Sequence, residues 1–160
     1  MESSKHTCGL TQGTQLLMPD GITFKKVQDI SANEEVMMID IATTGTLDYV
    51  PTKISNKYTK MSKKLYYVES GNKQIKITDD QLILSEWTFD VPYTCPVDKI
   101  HKGQIIYSFC QDSKKIVLSV IKNIYQIENE IVYYFTCDKN IFVTSTFIIS
   151  SGKENIFNPI

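Results

Sequence analysis

Short runs rich in β-branched and aromatic residues, each closed by turn-forming residues, recur along nearly the whole chain. That pattern predicts an all-β fold, because such side chains fit a pleated, half-buried surface. "TQLLM" ends at Pro19-Asp20-Gly21, where proline presets one dihedral and glycine accepts a positive φ. "ITFKKVQDI" and "EVMMID" follow across the polar break Ser31 to Glu34, and the long "TLDYVPTKISNKYTK" is placed near an edge or a bend by Pro51. "KLYYVES" and "KQIKIT" flank Gly71-Asn72, a two-residue hairpin signal. Further on come "LILS", "QIIYSF", a single long "KKIVLSVIKNIYQI", "EIVYYFT" and "NIFVTSTFIIS". The helix signal is confined to "PVDKIHKGQ", which holds one turn closed by Gly103. No linker, low-complexity tract or internal repeat stands out, so the reading is a single domain, with a sandwich and a barrel both open.

A chain of 160 residues can bury a core without metal or disulfide support. Its net charge of −1 carries no nucleic-acid footprint. Every basic residue is lysine, and the absence of arginine removes the side chain best suited to bidentate phosphate or guanine recognition. Cys8, Cys95, Cys110 and Cys137 form no C-x-x-C pair, which favours reduced thiols in an intracellular (cytoplasmic or nuclear) protein, with two disulfides as the alternative. His6 and His101 are the only histidines, so a zinc site would need an unusual ligand set, and no metal or cofactor is expected. The start MESSKHTCG lacks the apolar core of a signal peptide, and no apolar run is long enough for a membrane helix.

Four segments, in order, resemble the sequence blocks of the Hint superfamily, the domains of inteins and hedgehog autoprocessing proteins. "GLTQGTQLLMPDGITFKKVQDISANEEVMMID" is similar to the N-terminal block, in which a nucleophile is followed by G-T, an apolar strand, a D-G turn and "V-M" before an aspartate. "QIKITDDQLILSEW" resembles the T-x-x-H block, "PVDKIHKGQIIYSF" the x-x-L-x-x-G-D-x-V segment, and "EIVYYFTCDKNIFVTSTFIISS" the C-terminal block ending in His-Asn. The first block is most like the fungal vacuolar-ATPase intein and the mating-type switching endonuclease. The resemblance implies a flattened β horseshoe of many short strands, spanning residues 8–151, with a lead over 1–7 and a tail over 152–160. The chain has no room for a homing endonuclease inserted in the domain.

In that superfamily the first residue is a Cys or Ser that attacks the carbonyl before it, giving a (thio)ester. Counting back from Gly13-Thr14 with the family's spacing places Gly9 there, with Cys8 one residue earlier. Either the loop carries an extra residue and Cys8 is the nucleophile, or the nucleophile has been lost; the gap-free alignment favours loss. The T-x-x-H histidine protonates the departing amide, a role that suits imidazole. Here the motif is Thr78-Asp79-Asp80-Gln81: Thr78 retains a hydrogen-bonding group, whereas Gln81 has no titrating proton. At the C-terminal end the family uses an Asp or Cys, a His and a final His-Asn whose Asn cyclises. The matching residues are Tyr134, Asn140, Ser150 and Ser151, and Ser151 forms no succinimide.

These substitutions favour a Hint-like scaffold that has lost splicing and acts as a binding or structural module, an intein or homing-element remnant. Its partner would be a protein of unspecified kind or flanking host segments, not a membrane. The alternative is a residual autoprocessing enzyme with Cys8 as nucleophile, assisted by Thr78 and Asp80, with His6 as a further local base; His101 reads as a surface residue. A third reading sets the resemblance aside for a β-sandwich with a ligand site lined by Tyr66-Tyr67, Tyr133-Tyr134, Trp87 and Phe89, although such aromatics are more often core and sheet-face residues. The stretch Lys57 to Lys64 mixes Lys and Tyr in a way that suits nucleic-acid backbone contact and stacking. Charged edge strands more often oppose aggregation, so nucleic acid is the less favoured partner.

Overall fold

The computed structural model describes residues 6–41, 46–86, 92–139 and 141–150. In chain order the strands are β1 (His6–Thr11), β2 (Gln15–Leu17), β3 (Phe24–Lys26), β4 (Glu35–Ile41), β5 (Leu47–Lys53), β6 (Asn56–Ser62), β7 (Leu65–Ser70) and β8 (Lys73–Thr78). They continue as β9 (Leu82–Glu86), β10 (Pro92–Pro96), β11 (Ile105–Cys110), β12 (Lys115–Val120), β13 (Asn123–Ile127), β14 (Glu130–Cys137), β15 (Ile141–Val143) and β16 (Ile148–Ser150). One sheet has six strands in the order β13-β7-β8-β1-β14-β6. The other runs β12-β11-β9-β16-β15-β4-β5, with β10 also on β9, and β2 and β3 form a separate ribbon. The fold is all-β, as the strand patterning requires.

Turn chemistry does what the residues dictate. Gly71, at φ 60, takes the first corner of the β7–β8 hairpin, where a II′ turn needs positive φ. The β2–β3 turn is held by the Asp20 carboxylate, which accepts bonds from the backbone N–H groups of Ile22 and Thr23 at 2.8 and 2.9 Å and from the Thr23 hydroxyl at 2.8 Å. Pro51 lies on β5, an edge strand, where a missing N–H is tolerated. The short helical turn at Val97–Lys99 is closed by Ile100, whose N–H donates to the Val97 carbonyl at 3.2 Å. Gly103 belongs to the next turn, and so is not its cap.

The long segments behave differently from their sequence reading. "TLDYVPTKISNKYTK" is split into β5 in one sheet and β6 in the other, and "KKIVLSVIKNIYQI" into β12 and β13 likewise. At each break a buried isoleucine, Ile54 or Ile121, anchors the chain where it changes sheet. The N–H of Ile54 donates to the Glu34 carbonyl at 2.8 Å, and that of Ile121 to the Gln104 carbonyl at 2.9 Å. Apolar residues run on through both corners, so the sequence pattern alone does not reveal them.

These matched corners belong to an internal two-fold. Leu10 on β1 pairs with Ile77 on β8, and the elements on either side correspond. β14 pairs with β1 and β6, while β7 pairs with β8 and β13, so each half receives its last strand from the other. The sequence carries the repeat: Ile54, Asn56, Tyr58 and Tyr66-Tyr67 recur at one constant spacing as Ile121, Asn123, Tyr125 and Tyr133-Tyr134. Even the ring stacks are mates, Tyr58 on Tyr134 with centroids 5.1 Å apart and Tyr125 on Tyr67 at 4.8 Å.

One buried cluster, including Leu10, Ile77, Met38, Ile83, Phe135 and Phe142, joins residues of the two large sheets. A second, including Met37, Ile39, Leu84, Phe109 and Ile148, lies on the opposite face of the second sheet. Its central strands are therefore buried on both faces, which explains why "VMMI" and "LIL" are continuous apolar runs.

Candidate functional site

Three strands and one tight turn bring most of the sequence-derived positions together. Gly9 lies within β1, and the pairing of Leu10 with Ile77 sets it beside the end of β8, where Thr78 sits. The chain then turns through Asp79 and Asp80 to Gln81, whose N–H donates to the Thr78 carbonyl at 3.1 Å. β9 follows at once, and its Leu82 pairs with Ser150 on β16. The turn Thr78 to Gln81 is thus the corner where the chain passes from one sheet to the other. β1 flanks it in one sheet and β16 in the other.

The corner is internally bonded. Thr78 and Gln81 are buried, and both donate to the same oxygen of Asp80, from Oγ1 at 2.6 Å and from Nε2 at 3.3 Å. The Asp79 N–H donates to the Lys64 carbonyl at 3.3 Å, tying the corner to the β6–β7 turn. Ser150 is fully buried. An open cleft of about 440 Å³ lies over the corner, lined by Lys60 to Lys64, Thr78, Asp79, Asp80 and Tyr134.

Gly9 meets that cleft through Tyr134, its cross-strand partner. A Cβ placed on Gly9 would stand 2.6 Å from Cε1 of Tyr134 and 3.0 Å from Cγ1 of Val132. The phenol ring therefore fills the space into which a side chain at position 9 would project. Its stack on Tyr58 supports it from the far side. Sequence reasoning aligned Tyr134 with a family position but missed this filling role; the repeated Tyr-Tyr pairs were the signal available.

β1 pairs with β14 without interruption, from His6 opposite Cys137 to Thr11 opposite Val132, with Cys8 opposite Phe135. No bulge takes up an extra residue within it. The turn Thr11 to Thr14 has the same length as its two-fold mate Thr78 to Gln81, and is closed by the same bond, Thr14 N–H to Thr11 carbonyl at 3.1 Å. Asn140, Ser151, Trp87 and Phe89 lie outside the described residues, as do the side chains of His6 and Cys8. His101 is exposed, on the loop after Ile100. A second open cleft, about 260 Å³, lies at the mate of the corner and includes Thr11, Gly13, Thr14, Tyr67 and Lys76.

The lysine run is not a uniform basic face. Lys57 donates from Nζ to the carbonyls of Gln28 and Ile30 at 3.1 and 2.6 Å, and its ammonium lies 5.2 Å from the Tyr133 ring centroid. Lys60, Lys63 and Lys64 are exposed around the cleft, beside Asp79 and Asp80.

Cys95, Cys110 and Cys137 are free thiols. The Ser113 hydroxyl, then the backbone N–H groups of Ser113 and Asp112, hold the Cys110 thiol below its ordinary value, whereas burial pushes that of Cys95 up. Cys110 is therefore expected to react with iodoacetamide faster than Cys95, and from a lower pH. Peptide mapping after timed alkylation checks this; faster labelling of Cys95 would contradict it. Among the described residues no group of three or more His, Cys, Asp or Glu is placed to hold a metal ion, and no helix is long and apolar enough to cross a membrane.

No protein-family model matches the sequence, and no curated protein matches it. Solved structures do. A bacterial intein-like domain from Clostridium thermocellum superposes with a TM-score of 0.69 at 15% identity, covering 90% of this chain and 98% of that one. A DnaB intein from Synechocystis gives 0.69 at 17% identity, covering 92% and 99%. A variant of the Ssp DnaB mini-intein gives 0.71 at 16% identity, covering 96% and 99%. With the two-sheet topology described above, these likenesses show that the chain has the all-β Hint-type fold of the inteins.

Proposed function

We propose that this chain is a Hint-type module, spanning residues 8–151, that has lost protein splicing and serves as a binding or structural domain. The observation that carries the reading is the Tyr134 ring standing where a side chain at position 9 would project. An acyl shift needs a nucleophile beside the carbonyl it attacks. Glycine offers none, and the ring leaves no room for one. Gln81 supports the same reading: it holds the histidine slot of the corner with a neutral amide that spans Asp80 and cannot protonate a leaving amine. Ser150 and Ser151, in place of His-Asn, remove cyclisation at the other end. The sequence likeness to the fungal vacuolar-ATPase intein and the mating-type endonuclease supports reading the module as a remnant of a homing element.

The competing reading uses Cys8 as nucleophile for N-terminal cleavage without splicing. It requires an extra residue between the nucleophile and Gly13, and the unbroken β1 register speaks against one. The test is a reporter protein fused directly upstream of residue 8, incubated with thiol or hydroxylamine, with the products weighed by mass spectrometry. The fusion is expected to stay intact. Release of the reporter, abolished by Cys8→Ala, would replace this reading with the autoprocessing one.

A further inference from the structure

β8 lies inside the six-stranded sheet, yet β1 covers only one end of it. The two strands pair at Leu10 and Ile77, after which β1 turns away through Thr11 to Thr14. The first half of β8, Lys73 to Ile75, is paired with β7 on one side and, among the described residues, with no strand on the other. That open side faces the cleft of about 260 Å³, lined by Gln74, Ile75 and Lys76 and also by Gln15, Ser145 and Thr146.

Register fixes which main-chain groups point there. The β7–β8 turn has two residues, so Ser70 and Lys73 close it as a hydrogen-bonded pair. Alternation makes Val68 with Ile75 the next such pair and leaves Glu69 and Gln74 unbonded to each other. The N–H and C=O of Gln74 therefore point away from β7, as does the Lys76 carbonyl, which accepts from the Thr11 hydroxyl at 3.0 Å. Among the described residues no backbone group on the cleft side bonds to the main chain of Gln74. Its side chain is drawn toward β7 by the Tyr67 hydroxyl, which donates to Oε1, and the residue is exposed.

Charge narrows what can enter. No carboxylate is among the described lining residues. Lys76, the one ammonium of the lining, stands 3.5 Å from Glu130. Lys73, at the start of β8, donates to the Phe109 carbonyl at 2.8 Å and the Ser108 hydroxyl at 3.3 Å. An acidic segment would find both cations engaged, and a basic one would find no anion.

We propose that this gap binds an extended, uncharged peptide strand, which adds antiparallel to β8 along the line that β1 leaves. Its main chain bonds both groups of Gln74, the usual source of affinity in strand addition. Its side chains alternate between the outer row beside Tyr67 and the inner row beside Ile75. A saccharide would meet the hydroxyls of the cleft, but it lacks the paired N–H and C=O that Gln74 matches. This inference names a partner class for the binding role proposed above and rests on that reading. The gap lies at the two-fold mate of the corner, so its failure would leave the loss of splicing standing.

Amide NMR on the full chain, titrated with the capped pentapeptide Thr-Val-Thr-Val-Thr to about 2 mM, tests it. Saturable shifts are expected at Gln74 and Lys76, with Gly9 and Thr78 unmoved. The same peptide N-methylated at every backbone nitrogen is expected to bind at least about tenfold more weakly. Gln74→Pro deletes only an N–H that faces the cleft, and is expected to weaken binding about tenfold while the melting midpoint stays within a few degrees. If that variant fails to fold, the methylated peptide decides the question on the unsubstituted chain. Absence of saturable shifts overturns the proposal, as does equal binding of the methylated peptide. Tighter binding of Asp-Val-Asp-Val-Asp or Lys-Val-Lys-Val-Lys overturns the uncharged class. Shifts at the same amides with maltotriose, and none with the peptide, would make the gap a sugar site.

Discussion

Gly9→Cys alone is expected to leave an upstream reporter attached, and to destabilise the domain by roughly 1–3 kcal/mol, the range for forcing atoms into filled space. The added Cβ would meet Cε1 of Tyr134 at 2.6 Å, and the ring cannot retreat freely because Tyr58 stacks behind it. Tyr134→Ala in the same chain is expected to relieve most of that loss, so the pair should show a coupling of about 0.5–3 kcal/mol in a double-mutant cycle. Urea midpoints of the four proteins measure it. Independent effects of the two substitutions would mean that the ring does not occupy the site. On the proposed reading even the double variant is expected to stay uncleaved, because Gln81 offers only a neutral amide where that reading needs a group to protonate the leaving amine.

Phe135→Ala is expected to lower stability by about 3–5 kcal/mol, the usual loss on emptying a buried phenylalanine site. Phe135 is fully buried, on β14, in the cluster that joins the two large sheets. Its two-fold mate is Val68 on β7, also fully buried, so the two halves fill matching positions with side chains of different volume. For a domain of this size each kcal/mol moves the melting midpoint by roughly 2–4 °C. A fall of less than a few degrees in a calorimetric scan would contradict the role assigned to the ring. Tyr49→Ala, on the exposed edge strand β5, serves as the comparison and should move the midpoint far less.

What the sequence made legible was mostly local. The hairpin at Gly71, the turn at Asp20 and the edge position of Pro51 each follow from a single residue's dihedral or donor chemistry, and each is found. The two corners were not legible, because Ile54 and Ile121 continue the apolar character of their segments while the chain changes sheets. Burial at a corner and burial within a strand look alike in one dimension. The repeat was present in plain residues, Ile-x-Asn-x-Tyr followed by Tyr-Tyr, but the intervening positions share little, since each half packs against different neighbours. At the candidate site, alignment supplied the names Gly9, Thr78, Asp80, Gln81 and Ser150. It could not supply the ring over Gly9, because strand register decides which side chain lies across from a glycine, and register is a long-range property.

The reciprocal exchange of β7 and β14 also governs how the protein can be made. The first half cannot complete its sheet until β14 has been synthesised, because both β1 and β6 pair with it. During translation those two strands would leave the ribosome with their partner still missing, and their pairing edges would stand open for many seconds at ordinary elongation rates. Distant strand pairings also make for slow folding, in milliseconds to seconds rather than microseconds. Vulnerability to aggregation should therefore be greatest in chains truncated before residue 130, and should fall sharply once β14 is present.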